Sequence, residues 1–394
     1  MIQKLGRFFL TLTLLTIPFQ LGKHFWFPFS YVWGLPVDYL APTIYLVDIF
    51  LLITVFIFLL SILQKHSRNV RIYIPGMWRR SFLGLIFLNI AFALNPQVAF
   101  LGWLKILKIF LLAWLVFKEK AWVKKNLPKI IAFWLFTQSF FSLTQFFKQG
   151  SLGGWTYWLG ERNFSLLTPG IAKIVFNNQI FLRSYATFSH PNSLAGFVLL
   201  ALFLYFSFQS LKKPLAKITL FAGLICLFLS FSRTVWLTGL LVLFLPKAAK
   251  QPVAKKLIFV LLLGFLTTLA FLIFPNPLAL TERFSLAKAS LRIFLTRPFL
   301  GVGWDNFLVS LPNFWPFAKQ AKIVLQPVHN LFLLILSQAG TAGLLLTFWG
   351  LSRVIKKKNF FWWLIILATG LFDHYWLTLN QNLLLLGVVL GLSF

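Results

Sequence analysis

The stretch TIYLVDIFLLITVFIFLLSIL, residues 43–63, decides the fold class of this chain. Asp48 is the single charged residue in a run about as long as the roughly 20 apolar residues that a helix needs to cross a bilayer. Over the whole chain, 59% of the residues are hydrophobic and 11% are charged, whereas about a quarter are charged in a soluble domain. The sequence therefore predicts an all-α polytopic membrane protein.

Apolar runs of the same kind recur from end to end and predict about twelve transmembrane helices. They span residues 8–19, 43–63, 81–94, 98–117, 130–147, 193–210, 215–231, 234–245, 257–274, 330–351, 360–372 and 382–394. Several are shorter than a straight span requires, so we expect their edges to extend into flanking residues. The first run follows Lys4 and Arg7 without a small-residue cleavage site, which indicates an uncleaved first span.

Lysine and arginine gather in alternate connections between these runs. The basic connections are residues 65–80, 118–125, 212–217, 247–256 and 353–358. Such clusters mark the cytoplasmic side, which predicts a multi-pass protein of the cytoplasmic (inner) membrane with both termini in the cytoplasm. The formal net charge of +30 would favour nucleic acid in a soluble protein. Here most basic residues lie in short clusters between the apolar runs, where they set the membrane topology, so we expect no nucleic-acid partner.

Two long connections lie on the predicted outer face, residues 148–192 and 275–329. Long loops without strong helical signal are uncommon unless they have a function. Within the second, apolar residues recur at helical spacing, at Phe284, Ala287, Leu291 and Phe294. This spacing predicts a helix on the outer membrane surface. No linker or repeat divides the chain, so we expect residues 1–394 to form a single transmembrane domain, with the second loop over the site.

A small set of polar residues on the outer face supplies the candidates for chemistry. They are Arg183, His190, Asn192, Arg233, Arg292, Arg297, His329 and Asn330. Arg233 is the most informative, because two apolar runs abut it and charged residues near membrane depth usually face an interior cavity. Its planar guanidinium suits a phosphate group. A snorkelling side chain at the membrane interface is the structural alternative.

The two histidines allow a catalytic and a structural interpretation. An imidazole titrates near neutral pH and can take a proton from a hydroxyl, which makes His329 a candidate base. A histidine at a helix start is also often a cap or a structural hydrogen bonder, and this applies equally to His190 before Pro191.

Carboxylates on the outer face are few and scattered along the sequence. They are Asp38, Glu161, Glu282, Asp305 and Asp373. A divalent metal site needs several oxygen ligands, so this pattern argues against a metal. The sequence contains no phosphate loop or dinucleotide fingerprint, and we expect no cofactor. Inside the predicted spans, Asp48, Lys105 and Lys108 are expected to pair across the bundle interior, for structure or for function.

Four segments together resemble the O-antigen ligase and polymerase superfamily of bacterial membrane glycosyltransferases. They are Arg183 with Thr187-Phe188 and Pro191-Asn192, then Ser232-Arg233-Thr234, then Arg297-Pro298-Phe299-Leu300-Gly301-Val302-Gly303, and finally His329-Asn330 with Gln338-Ala339-Gly340-Thr341-Ala342-Gly343. The resemblance covers about Arg183 to Gly343. It departs from the family at Ala186, where a glycine is expected, and at Phe299, which adds an apolar residue beside Leu300.

The resemblance implies a GT-C-like glycosyltransferase of lipopolysaccharide or polysaccharide biosynthesis. Such an enzyme moves a glycan from a polyprenyl-pyrophosphate carrier to a lipid, glycan or protein hydroxyl on the outer face, with inversion and without a metal. It further implies that Arg183 and Arg233 bind the pyrophosphate and that His329 deprotonates the acceptor. The remaining candidates for substrate binding are His190, Asn192, Arg292, Arg297 and Asn330.

Several alternatives stay open at this point. Ligation to a lipid core, polymerisation of repeat units and transfer to a protein hydroxyl share one donor, and the sequence favours ligation only slightly. A transporter or flippase for lipid-linked glycans is the rival from another class. Transporters usually show repeat halves and polar sites near the membrane midplane, and neither feature is visible in this sequence.

Overall fold

The computed structural model describes residues 2–64, 76–249, 277–315 and 325–394, and this part of the chain is mostly helical. The α-helices are α1 Ile2–Thr16, α2 Leu46–Gln64, α3 Gly76–Ala91, α4 Pro96–Lys118, α5 Lys120–Lys148, α6 Pro191–Phe208, α7 Pro214–Leu229, α8 Arg233–Ala249, α9 Pro277–Thr296, α10 Phe307–Ser310, α11 Leu331–Val354, α12 Phe360–Gly370, α13 Tyr375–Thr378 and α14 Asn380–Ser393.

Every apolar run predicted from the sequence overlaps one of these helices except the run at 257–274, which lies outside the described residues. Helices α2, α4, α5, α6 and α11 are long and apolar enough to cross a membrane. Shorter apolar helices include α7 and α14. Length and composition therefore support a polytopic membrane protein, while the number of about twelve crossings stays a prediction.

In the part of the chain that the structure describes, three two-stranded antiparallel sheets lie in the connections, where the sequence predicted no strands. They pair β1 Gly22–His24 with β4 Thr43–Tyr45, β2 Tyr31–Val32 with β3 Leu35–Pro36, and β5 Lys173–Phe176 with β6 Gln179–Leu182. Strands this short are too brief to establish an alternating pattern. The turn between β5 and β6 did carry a signal, because Asn177-Asn178 have φ of 48° and 58° and asparagine favours two-residue hairpin turns.

The last helix, α14, is nearly all buried, as expected of a helix that is apolar on all sides. It packs closely on α4 through glycines. A Cβ atom built on Gly387 would lie 3.0 Å from the Ile109 carbonyl oxygen, and one on Gly391 would lie 2.5 Å from the Ala113 carbonyl oxygen. Small residues at such crossings let two helix backbones approach. This packing fixes the start of α14, at Asn380, beside α4.

Helix α9 occupies much of the second long connection, where a surface helix was predicted. Its buried residues are Leu286, Ala289, Ser290 and Ile293. The predicted apolar face differs from this one, since Phe284 and Leu291 are exposed. The Ser290 hydroxyl donates to the Leu333 carbonyl oxygen at 3.0 Å, so α9 is attached to α11 by a hydrogen bond as well as by apolar contact.

Helix α11 is kinked at Gly340, where φ is 66° and ψ is −168°. Residues 298–303 pack into this kink and bond to the backbone groups that it frees. The amide of Thr341 donates to the Pro298 carbonyl at 2.8 Å, and the amide of Val302 donates to the Ser337 carbonyl at 2.9 Å. The two glycine-containing motifs singled out in the sequence therefore pair with each other and stabilise a bent helix.

Candidate active site

A cavity of about 1900 Å³ opens at one end of the helix bundle. Its wall residues come from the connections at 20–45, 157–192, 231–234, 280–287, 325–333 and 371–383, with two lysines of α4. All these connections belong to the side that the sequence predicts to be outside. The volume exceeds the 300–1000 Å³ or so of a typical small-molecule site, so the cavity has room for two large ligands.

Helix α5 holds the segment that precedes α6 and so positions Arg183. The Gln145 side chain accepts from the amides of Tyr185 and Ala186 at 3.1 and 2.7 Å, and donates to the Ala186 carbonyl at 2.8 Å. Ala186 itself has φ of 49°, a left-handed conformation that glycine adopts at little cost. This conformation explains why a glycine is expected here from the family pattern.

Arg183 makes directional contacts on two sides. Its Nε donates to the Ser230 carbonyl at 2.7 Å, in the turn between α7 and α8, and its Nη2 donates to Asn192 Oδ1 at 2.6 Å. Burial lowers the pKa of Arg183 to about 10, with further lowering by Arg233 and Arg283. Because this pKa still lies well above neutrality, Arg183 remains a cation at the cavity wall.

Arg233 and Arg283 face the same cavity as Arg183. Arg233 is the first residue of α8, and its charge interacts with that of Arg283. Arg283 lies on α9 and donates from Nη1 to the Phe372 carbonyl at 2.8 Å. Three guanidinium groups from separate parts of the sequence thus converge, an arrangement suited to a diphosphate.

His329 lies at the cavity wall directly before α11, with Asp373 behind it. Its Nδ1 atom is 3.5 Å from Asp373 Oδ1, which is longer than an ordinary hydrogen bond. The Asp373 carboxylate is buried and does not line the cavity. Its Oδ2 accepts from Asn192 Nδ2 at 3.0 Å, so Arg183, Asn192, Asp373 and His329 form one chain of contacts.

Burial and neighbouring charges set the protonation states around this chain. Burial would raise the pKa of Asp373, but the contact with His329 and nearby positive charge hold it well below its usual range. Burial lowers the pKa of His374 to about 3. It also lowers the pKa of His190 to about 3, and Arg183 adds to this effect. At neutral pH we therefore expect a charged carboxylate beside two neutral imidazoles.

The described residues include one group with the spacing of a metal site, namely His329, Asp373 and His374. Their ligand atoms all lie within 4.8 Å of one another, and two imidazoles with a carboxylate are a donor set that Zn²⁺ accepts. Asp373 already accepts from Asn192 and faces His329 Nδ1, and the guanidinium groups of Arg183, Arg233 and Arg283 line the same cavity, so nearby positive charge disfavours a further cation. The arrangement fits an imidazole–carboxylate pair better than a metal site.

Six of the eight predicted site residues line the cavity: Arg183, His190, Asn192, Arg233, His329 and Asn330. Two of them also cap helices, because His190 Nδ1 accepts from the Asn192 amide at 3.1 Å and Asn330 Oδ1 accepts from the Leu333 amide at 2.9 Å.

The other two predicted binding residues, Arg292 and Arg297, do not line the cavity. Both are exposed, and Nη1 of Arg297 donates to the Phe92 carbonyl. The structure therefore does not bring them together with the other six.

Sequence reasoning did not assign Asp373 or Arg283 to the site. Asp373 follows an apolar run, 44 positions after His329 in the numbering of the chain, so its spacing carried no signal. Arg283 was one of six lysine and arginine residues in the second long connection, and only the packing of α9 separates it from Arg292 and Arg297. The connection at 20–45 was also overlooked, although it supplies Tyr39 to the cavity.

The fold and cavity define a helical membrane protein with a cationic polar site at one end. A family model described as O-antigen ligase matches residues 193–348 of the chain, which include Arg233 and His329. No curated protein matches the chain. The match confirms the resemblance to the O-antigen ligase superfamily. It supports a membrane glycosyltransferase of the O-antigen ligase or polymerase type.

Proposed function

We propose that this protein is an O-antigen ligase-like glycosyltransferase. It moves a glycan from a polyprenyl-pyrophosphate carrier to an acceptor hydroxyl on the outer face of the cytoplasmic membrane, with inversion and without a metal. One observation carries the proposal: an imidazole backed by a carboxylate lines the same cavity as the guanidinium groups of Arg183, Arg233 and Arg283, and the volume of this cavity is about 1900 Å³.

The arginines supply the electrostatic part of the mechanism. The leaving group is the polyprenyl pyrophosphate, which gains negative charge as its bond to the anomeric carbon breaks. Arg183, Arg233 and Arg283 bind the pyrophosphate and stabilise this charge most strongly in the transition state. Because the guanidinium groups of Arg183 and Arg283 are held by backbone carbonyls and Asn192, part of their orientation exists before substrate binds.

His329 supplies the proton transfer. The Asp373 carboxylate faces Nδ1, which favours the tautomer with hydrogen on Nδ1 and leaves a lone pair on Nε2. Nε2 takes the proton of the acceptor hydroxyl while its oxygen forms the new bond to the anomeric carbon, opposite the departing pyrophosphate. At the anomeric carbon one C–O bond forms as the other breaks, while the proton passes from the hydroxyl to Nε2, and attack from the opposite side inverts the configuration.

The charges on the cavity wall favour a reaction without a metal. In many pyrophosphate sites a divalent cation neutralises the leaving group. Here three permanent cations take that role, and Asp373 is occupied by Asn192 and His329. The same arrangement serves ligation to a lipid, polymerisation of repeat units and transfer to a protein, so the acceptor class is left open.

Transfer assays on two variants and a matched control test the proposal. His329→Ala removes the base, and we expect transfer to fall about 10²- to 10⁴-fold. Arg233→Lys keeps a charge but loses the planar fork of donors, and we expect a fall of about 10²-fold. Arg292→Lys makes the same change at an exposed residue outside the cavity, and its transfer should match wild type. The readout is glycan transfer from a lipid-linked oligosaccharide in membranes, at equal amounts of inserted protein.

Near wild-type transfer by both His329→Ala and Arg233→Lys would overturn the assigned roles. A transporter predicts a different product, because movement of the lipid-linked glycan forms no glycosidic bond and releases no polyprenyl pyrophosphate. Detection of substrate movement without either product would replace the glycosyltransferase by that class.

A further inference from the structure

A second part of the cavity wall differs in chemistry from the arginine cluster. It consists of Tyr39, Tyr45, Lys105, Lys108 and Asn380, all of which line the cavity, and we call it the lysine floor. Lys105 and Lys108 lie on α4, about 14–18 Å along the helix from its first residue, at 1.5 Å per residue. The lysine floor therefore reaches towards the membrane interior.

Each lysine of this floor is already neutralised. Lys105 Nζ lies 2.8 Å from Asp305 Oδ2 and also donates to the Tyr39 carbonyl at 2.9 Å. Lys108 Nζ lies 3.0 and 3.1 Å from the two carboxylate oxygens of Asp48, and donates to Asn380 Oδ1 at 2.8 Å. The two ion pairs leave the lysine floor formally neutral, in contrast to the cationic wall around Arg183.

Ion pairs at the edge of a cavity select what can bind there. A prenyl chain would bury their polar groups without compensating hydrogen bonds, which is costly. A second phosphate would meet ammonium groups whose charge Asp48 and Asp305 already offset. A neutral ligand rich in hydroxyl groups meets neither penalty, because hydroxyls accept from ammonium groups and both donate to and accept from a side-chain amide such as that of Asn380.

Two aromatic rings complete the lysine floor and connect it to the proposed reaction centre. The Tyr45 ring lies under Lys108 Nζ, 5.6 Å from the centroid. The Tyr39 ring contacts His374 edge to face at 5.7 Å, and the His374 ring is 5.3 Å from that of His329. A ligand on the floor is thus adjacent to the imidazole pair.

We propose that the lysine floor is a glycan subsite, which binds an uncharged sugar unit while the arginine cluster binds the pyrophosphate. The inference rests on the proposed function, and it assigns two parts of one cavity to two kinds of ligand group. The sugar can belong to the donor or to the acceptor, because both present hydroxyl groups, and the experiment below distinguishes these two sources.

The test measures binding to the full chain in lipid nanodiscs, by quenching of tryptophan fluorescence. The ligands are undecaprenyl pyrophosphate, the same carrier bearing one N-acetylglucosamine, and the methyl glycosides of glucose and galactose. Asn380→Ala removes one polar group from the floor, and the double variant K105Q/D305N replaces an ion pair by two amides. Lys23→Gln is the matched control, since Lys23 is exposed and does not line the cavity.

Wild type should bind the sugar-bearing carrier more tightly than the bare carrier, or should bind the glycosides. We expect both floor variants to lose this sugar-dependent affinity about fivefold or more, since charge-assisted hydrogen bonds are lost. Their affinity for the bare carrier should stay within twofold of wild type. A loss confined to the sugar-bearing carrier assigns the floor to the donor glycan, and a loss confined to the glycosides assigns it to the acceptor.

Sugar affinity in Asn380→Ala and K105Q/D305N equal to that of wild type and Lys23→Gln would overturn the glycan subsite, as would a wild-type protein indifferent to every sugar tested. Thermal melting of each variant shows whether it is folded, and Asn380→Ala alone suffices if the double variant is not. Arg233→Lys tests the proposed function separately. If the arginine cluster binds pyrophosphate, this variant should bind the bare carrier more weakly, whatever the lysine floor binds.

Discussion

Asp373 lies behind His329, and its carboxylate accepts from Asn192, which in turn accepts from Arg183. One buried carboxylate thus links the proposed base to one of the proposed pyrophosphate ligands. Since Asp373 does not line the cavity, its role is to position His329 and to stabilise the imidazolium that forms when the base takes a proton.

Asp373→Asn tests this positioning role. The amide still fills the space but loses the negative charge, so we expect kcat to fall about 10²- to 10⁴-fold, the upper end being the loss seen when the carboxylate of a Ser-His-Asp triad becomes an amide. The KM for the lipid-linked donor should change little, because no contact with substrate is lost. Steady-state kinetics over a range of pH measures both quantities.

Glu282→Gln is the control for Asp373→Asn, because Glu282 lines the same cavity but bonds to Gln326 instead of a histidine. An equal loss of kcat in both variants would mean that the net charge of the cavity is responsible, and not the position of Asp373.

The buried neutral state of His374 predicts a pH dependence of stability. Its pKa is about 3 in the folded protein and about 6.5 in the unfolded chain, so the unfolded state binds more protons between these values. Stability should therefore be fully present above pH 6.5 or so and should decrease as the pH falls towards 3. Melting temperatures of purified protein between pH 7.5 and 5 measure this decrease.

His374→Gln should reduce the pH dependence of stability, because glutamine has no imidazole that takes up a proton when the chain unfolds. Asp373, His329 and Arg283 also act on this group, and His190 adds a parallel effect, so the decrease should become shallower and not vanish. A slope identical in His374→Gln and wild type would contradict the expectation.

At the scale of elements, α11 and the segment before α10 form one unit. Asn89 on α3 is buried in it, donates to the carbonyls of Leu300 and Gln338 at 2.8 and 2.9 Å, and accepts from the Trp103 indole. These bonds satisfy backbone groups at the kink of α11, away from water. Because α11 begins directly after His329, the shape of the kinked unit helps to place the proposed base.

Gly340→Ala should damage this unit. An added Cβ atom would lie 2.3 Å from the carbonyl carbon and oxygen of Phe299, at a positive φ. Backbone atoms cannot move aside easily, so we expect a loss of about 2 kcal/mol or more of stability and a lower melting temperature.

Gly84→Ala provides the comparison, because a Cβ atom at Gly84 in α3 meets nothing within 4 Å and alanine is the better helix former. Equal melting temperatures for Gly340→Ala and Gly84→Ala would refute the proposed importance of the kink.

At the scale of the whole molecule, the charges separate to opposite ends. Lys120, the first residue of α5, is repelled by Lys356 and Lys358 from the connection after α11, so two of the basic connections lie together. The arginine cluster and the cavity are formed by the other set of connections. This separation agrees with a basic cytoplasmic end and an outer active site, and the sidedness itself is a prediction.

Cysteine labelling tests that sidedness. In a Cys226→Ser background, a cysteine at Leu167, which is 91% exposed, should react with a membrane-impermeant maleimide in intact cells. A cysteine at exposed Lys357 should react only after lysis. The reverse pattern would invert the topology and place the cavity on the cytoplasmic side. It would then contradict the proposed transfer on the outer face of the membrane.

The apolar runs, the basic connections and the separate arginine and histidine motifs could be read from the sequence. Helix placement depends on local hydrophobicity, so the predicted runs overlap the helices of the described chain. The partners of Lys105 and Lys108 could not be read, because Asp305 and Asp48 are far from them in sequence. The contact between the rings of Tyr39 and His374 could not be read from the sequence either, since it depends on how the helices pack.

By itself, the sequence determined that the chain is helical and apolar enough for a membrane, and it predicted that Arg183, Arg233 and His329 lie on connections of one side. These properties follow from composition and local pattern, because the preference of each side chain for water or lipid does not depend on the tertiary structure. Only the tertiary structure decided that Arg283 joins Arg183 and Arg233 while Arg292 and Arg297 stay outside, and that Asp373 backs His329. Such choices depend on which face of a helix is buried and where a chain turns, which side-chain packing determines.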